Sequence, residues 1–158
     1  MIALWIATLV MSGYLAYVVG CFGIPRSLSD TFYLLGKRGW LFQCVLGVFG
    51  GLLMPVWLEV SFENAEFLAF LACAGLLFVA AAPCFKVELE GKVHYTAAVV
   101  CCVAAFIWQL VEMCWVLPVC SLGLALGATM VTKGKLFWWV EMGVMVSSLV
   151  SVWLRMIV

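Results

Sequence analysis

Apolar residues run almost unbroken along this chain, and the charged residues collect in the gaps between the runs. Six stretches approach the ~20 residues an α-helix needs to cross ~30 Å of hydrocarbon. They lie at about 2–22, 40–58, 67–85, 93–111, 114–132 and 136–156. The pattern predicts an all-α fold, a single bundle of six transmembrane helices over residues 1–158. Between the first two runs, Ser27 is placed to cap a helix start with Asp30 at the third position. Phe32, Tyr33, Leu34 and Leu35 follow, which predicts a short interfacial helix after the first span. The narrowest gap separates Gln109 from Trp115, and the charge of Glu112 favours a hairpin over one long bent helix there.

Basic residues then orient the bundle. Arg26, Lys37, Arg38, Lys86, Lys92, Lys133 and Lys135 fall in the first, third and fifth connections, and Arg155 alone falls on the other side. Short loops rich in Lys and Arg stay cytoplasmic. The expected placement is therefore a multi-pass protein of the cytoplasmic membrane with both termini outside. Tryptophans concentrate at membrane interfaces. Here Trp40, Trp138 and Trp139 fall at expected inner ends, whereas Trp5, Trp57, Trp108, Trp115 and Trp153 fall at outer ends. The first run has no basic residues before it and no A-x-A-like site, so it reads as a retained helix. No lipidation signal is expected, since Ile2 follows the initiator and the C-terminus lacks a CaaX cysteine.

Composition narrows the function. The chain is 68% apolar and 10% charged with zero formal net charge, against about 25% charged residues in soluble domains. Short connections hold no soluble catalytic domain, and no basic run suggests nucleic acid as a partner. The eight cysteines show no C-x-x-C spacing and read as small apolar residues. No metal or other cofactor is implied. Glu59, Glu63 and Glu66 in the second connection read as a solvated acidic loop. For packing, Gly47-x-x-x-Gly51 and Gly123-x-x-x-Gly127 are expected to bring helices of the same bundle together. Pro55, Pro83 and Pro118 are candidate kinks.

Ionisable residues within spans are costly and mark functional sites by default. Glu141 lies within the sixth run, and Ser148 and Arg155 share its face to within about 40° at ~100° per residue. His94, Cys101, Ala105, Trp108 and Glu112 form a matching stripe in the fourth run. If the two helices are neighbours, His94 approaches Glu141 at the inner end and Glu112 pairs with Arg155 at the outer end. The first arrangement is a candidate ligand, ion or proton site comprising Glu141, His94 and Ser148, because a histidine beside a carboxylate titrates near neutrality. A structural pair fixing helix register is the competing reading. Arg26, Ser27, Ser29, Asp30, Lys37 and Arg38 form a candidate site for a lipid headgroup or anion.

Enzymatic motifs are thin: a single histidine, no H-E-x-x-H and no Gly-x-Ser-x-Gly. The expected function is binding or conducting a small solute or ion between spans four and six. The alternative is a non-catalytic interaction subunit, as a homo-oligomer or with other membrane subunits. A lipid-modifying enzyme using His94, Asp30 and Ser29 comes third. Membrane lipids are the expected surroundings in every case.

Three segments carry a resemblance: Ile24-Pro25-Arg26-Ser27-Leu28-Ser29-Asp30-Thr31-Phe32-Tyr33, then Phe67 to Leu76, then Val93-His94-Tyr95. Their arrangement resembles small six-span proteins of bacteria and their mobile elements that carry no assigned activity. The likeness covers most of the chain and implies a fold, not a reaction. A fainter similarity joins it to six-span families with a serine-rich first loop and a histidine at span four. The several histidines of membrane ceramidase-like hydrolases are absent here.

Overall fold

A computed structural model describes residues 1–112 and 114–157. Those residues are all-helical, without strands. The elements are α1 (Ile2–Phe22), the one-turn α2 (Asp30–Leu34), a 3₁₀ turn at Gly36–Arg38, α3 (Trp40–Val60), α4 (Glu66–Ala81), α5 (Glu88–Val111), α6 (Val116–Val131) and α7 (Leu136–Ile157). α1, α3 with its preceding turn, α5 and α7 are long and apolar enough to cross a membrane. α4 and α6 are apolar but only 16 residues each, or about 24 Å at 1.5 Å per residue. Large apolar side chains such as Leu9, Leu124 and Met130 lie on the outer surface, which fits a membrane protein.

The helices alternate in direction. At one end, which we call the basic end, the Trp138 N–H donates to Arg26 O at 3.0 Å and the Lys86 N–H donates to Tyr33 Oη at 3.1 Å. At the opposite, acidic end, the Phe62 N–H donates to Glu112 and Trp153 Nε1 donates to Thr8 Oγ1. The start of α1 and the end of α7 therefore share the acidic end. In the bundle α1 packs on α3, α3 on α4, α4 on α5, and α6 on α7, while α5 and α7 face each other across a looser seam.

Close helix contact comes from glycines other than the two Gly-x-x-x-Gly pairs. A Cβ on Gly75 would stand 2.8 Å from Ala97 O, so α4 and α5 touch backbone to backbone. Gly143 of α7 lies against Ser121 O of α6, and Gly50 lies against Leu77. Gly47, Gly51, Gly123 and Gly127 have no such neighbour within 4 Å, contrary to the packing expected from the motif. The seam of α3 passes through Gly50, about 100° around the helix from Gly51, and that of α6 passes through Ala125.

Other boundaries differ in the same physical way. Pro83 stands two residues beyond the end of α4 and terminates the helix rather than kinking it. Pro118 sits in the first turn of α6, where a proline is tolerated. Pro55 lies in the interior of α3. α5 and α6 are separate helices. Cys84 lies in the connection between α4 and α5, not in a span. Trp57, Trp108 and Trp138 are buried, so they pack the bundle ends instead of joining an interfacial belt. α2 is also drawn inward: Thr31 is fully buried, bonded to Tyr14 Oη of α1 and donating to Leu28 O.

Candidate functional site

The segment from Ile24 to Asp30 lies across the basic end and is held by α7 and α5. Its carbonyls accept from α7 and the residue before it: Arg26 O from the Trp138 N–H and Ile24 O from Lys135 Nζ. A helix leaves its first N–H groups without partners, and Arg26 O satisfies one of them. The Leu28 N–H donates in turn to Glu141 Oε2 at 2.6 Å. Ser27 Oγ accepts from the Asp30 N–H at 3.1 Å, but α2 begins at Asp30 with Ser29 at its N-cap, so Ser27 stands outside the helix it was expected to cap and closes the turn before it.

His94 of α5 fastens the same segment from the other side. Nδ1 lies 2.8 Å from Ala82 O and Nε2 lies 2.7 Å from Ser29 Oγ. A carbonyl can only accept, so Nδ1 carries a proton. In the neutral ring Nε2 then accepts from the Ser29 hydroxyl. The ring also stacks on Phe85, with centroids 5.1 Å apart. Phe85 meets Tyr33 edge-on, and Lys86 Nζ lies over the Tyr33 ring.

His94 and Glu141 therefore do not pair directly: among the described residues no ion pair joins them. They clamp adjacent residues of one segment, Ser29 and Leu28, and line one cleft. That cleft, about 660 Å³, runs between α5 and α7 and includes Arg26, Ser27, Asp30 and Tyr95. Behind it lies a second cavity of about 90 Å³ that shares Ser29, Ala98, Cys102 and Glu141. Its lining is almost wholly apolar, and it reaches Ser148 and Trp57. Lys37 and Arg38 lie on the exposed 3₁₀ turn and do not line the cleft.

Ser148 belongs to a different cluster. Gln109, fully buried, donates from Nε2 to Ser148 Oγ at 3.1 Å and to Ala105 O at 3.2 Å. Its Oε1 accepts from Ser151 Oγ at 3.3 Å. Beyond this cluster, Glu112 Oε1 accepts from the Phe62 N–H at 2.7 Å, and Arg155 Nη2 stands 3.1 Å from Oε2. That contact is an ion pair without a well-aligned hydrogen bond. The guanidinium also lies over the Phe62 ring. Trp108 stacks edge-on against Trp57 and donates to Ser61 Oγ.

Three features of these sites escaped sequence reading. Gln109 enters the sequence pattern only as a span boundary, although a lone amide in one apolar run and the serines Ser148 and Ser151 in another are a usable signal. The Ala82 carbonyl acts through backbone alone, and no side chain advertises it. The Tyr14–Thr31 contact joins residues on separate elements whose spacing says nothing of their meeting.

No protein-family model, curated protein or solved structure matches this chain.

Proposed function

We propose that this chain is a six-span protein of the cytoplasmic membrane that binds a small solute or ionic group in the cleft between α5 and α7. The observation that carries the reading is the clamping of residues 28 and 29 by Glu141 and His94 at the floor of that cleft. An ionisable group is costly in lipid and is kept where it meets a partner or a ligand. Here two such groups from neighbouring helices converge on one accessible space.

Six spans require α4 and α6 to cross as well. Helices of about 24 Å fall short of ~30 Å of hydrocarbon, a mismatch met by local thinning of the bilayer at modest cost. The positive-inside rule then puts the basic end in the cytoplasm and both termini outside. Labelling with a membrane-impermeant thiol reagent checks this. In a cysteine-free background, a cysteine at Lys133 should be protected in intact cells and one at Glu63 should react.

The functional test is a flux assay in liposomes under an imposed proton or sodium gradient. Wild-type protein should dissipate one of them. Glu141→Gln should melt at nearly the same temperature and lose the flux. Equal flux from both proteins would sink the role given to Glu141.

A second reading is a lipid-modifying enzyme, and the Ser29–His94–Ala82 chain favours it. A hydroxyl bonded to a base that a third group orients is the usual arrangement of an activated nucleophile. A fluorophosphonate probe should label Ser29 under this reading, and both Ser29→Ala and His94→Gln should abolish the label. The outward glycines of α3 and α6 support a further role in contacts between chains.

A further inference from the structure

We propose that the ligand of this cleft is a membrane phospholipid with a zwitterionic, phosphoethanolamine-type head, entering sideways between α5 and α7 with one acyl chain along α5. The inference rests on the reading of the cleft as the binding site and names what fills it.

The mouth of the cleft points to a source within the bilayer. Tyr95, Val99 and Phe137 line it and are 59%, 62% and 72% exposed. On a membrane-spanning bundle, side chains of this kind face lipid, so a solute arriving there comes from the bilayer more readily than from water.

The floor is polar and of mixed sign. Arg26 and Asp30 both line it, and neither has an ion-pair partner among the described residues. A guanidinium suits a phosphodiester, which it can hold through two parallel N–H bonds. The Asp30 carboxylate suits an ammonium. A purely anionic head would satisfy Arg26 but set negative charge against Asp30 and Glu141, whereas a zwitterion satisfies both signs.

An apolar furrow continues from the cleft. It measures about 230 Å³, shares Cys102 and Val140 with the cleft, and is bounded by Val103, Phe106, Ile107 and Leu122. Along α5 the furrow opens at Cys102, about 12 Å from His94 at 1.5 Å per residue, and ends at Ile107, about 20 Å from it. One leaflet of a ~30 Å hydrocarbon core offers about 15 Å of chain depth. The chain of a headgroup on the floor thus reaches the near end of the furrow within its own leaflet, and its tip extends along it.

The test uses the full chain in mild detergent, incubated with equimolar phosphatidylethanolamine, phosphatidylglycerol and phosphatidylcholine and weighed by native mass spectrometry. One phosphatidylethanolamine should remain per chain, favoured over phosphatidylglycerol by about tenfold, the ratio expected for one charged hydrogen-bonding contact. Arg26→Gln should weaken retention by a similar factor, and Lys37→Gln should leave it unchanged. Val103→Trp should remove the lipid by filling the furrow. Val103 is half-exposed, so this variant should keep its melting temperature.

Equal retention of phosphatidylethanolamine and phosphatidylglycerol, retention of phosphatidylcholine equal to or above that of phosphatidylethanolamine, or retention indifferent to Val103→Trp, would overturn the proposal. So would displacement by soluble glycerophosphoethanolamine at concentrations like the lipid's own, which would mark a water-borne solute. Failure of the wider reading looks different. Gradient flux that depends on Glu141 without bound lipid overturns this inference alone, whereas neither flux nor retention of any ligand overturns both.

Discussion

The two ends of the α5–α7 seam each hold a glutamate, buried at one end and half-buried at the other, and they treat it differently. At the acidic end Glu112 is 3% exposed, faces Arg155 and accepts from the Phe62 backbone. At the same end the buried Trp57 and Trp108 pack edge-on, and Trp108 donates to Ser61, next to Phe62. At the basic end Glu141 has no cation partner among the described residues, accepts from the Leu28 backbone, and borders open volume. A carboxylate surrounded by protein is a fastening, whereas one beside a cleft is available to something else. The chain thus places structure and proposed chemistry at opposite ends of the same helix pair.

The comparison breaks most readily at Arg155. Replacing it with methionine leaves a buried carboxylate with one backbone donor. Breaking a buried pair by removing one partner costs about 3–5 kcal/mol. Arg155 keeps part of its side chain in contact with the surroundings, so the expected loss is about 3 kcal/mol, read as a lower melting temperature in detergent. Arg155→Met with Glu112→Leu should recover part of that loss, because no charge is then stranded. A single variant as stable as wild type would show that the acidic end is no fastening.

Next in size is Gly75→Ala. The new methyl would meet Ala97 O at 2.8 Å and the Cys101 backbone at 2.9 Å, and neither can swing aside. Overpacking of this kind costs about 1–3 kcal/mol. Gln109→Leu should follow at about 1–2 kcal/mol, since it removes partners from Ser148 and Ser151 inside the bundle. Both changes lie away from the cleft, so retained ligand binding alongside reduced stability would sharpen the division between the two ends.

Glu141→Gln should cost least of these polar changes. The amide oxygen can still accept from the Leu28 N–H, and exchanging a charge-assisted bond for a neutral one is worth about 1 kcal/mol. Function should nevertheless fall. A large drop in melting temperature here would make Glu141 a fastening like Glu112 and erase the contrast.

How far the chain was readable follows from what each feature depends on. Helix content and connection order follow from the length of apolar runs, which a bilayer-sized pattern states directly. The stripes His94–Glu112 and Glu141–Arg155 were legible because they need only helical periodicity and the adjacency of two helices. What the periodicity could not give was the chain segment between them. His94 and Glu141 meet Ser29 and Leu28, more than sixty residues away in sequence, through backbone groups that every residue possesses. Glycine choice was illegible for a related reason. Gly75 and Gly143 matter because of what stands opposite them, and a motif on one helix does not specify its partner.

The smallest expected effect tests the outward glycines. Gly123→Leu and Gly127→Leu on α6 place side chains where no atom lies within 4 Å, and leucine is the better helix former. The fold of a single chain should keep its stability or gain about 1 kcal/mol, seen as an unchanged or slightly raised melting temperature. The same pair, if α6 packs on a second chain through its small residues, would keep the two backbones apart. Mass measurement in mild detergent then separates two contributions that a melting curve combines. A fall from dimer to monomer with an unchanged fold gives α6 an assembly face independent of both ends of the α5–α7 seam. An unchanged mass leaves Gly123 and Gly127 facing lipid, and leaves the cleft to act within one chain.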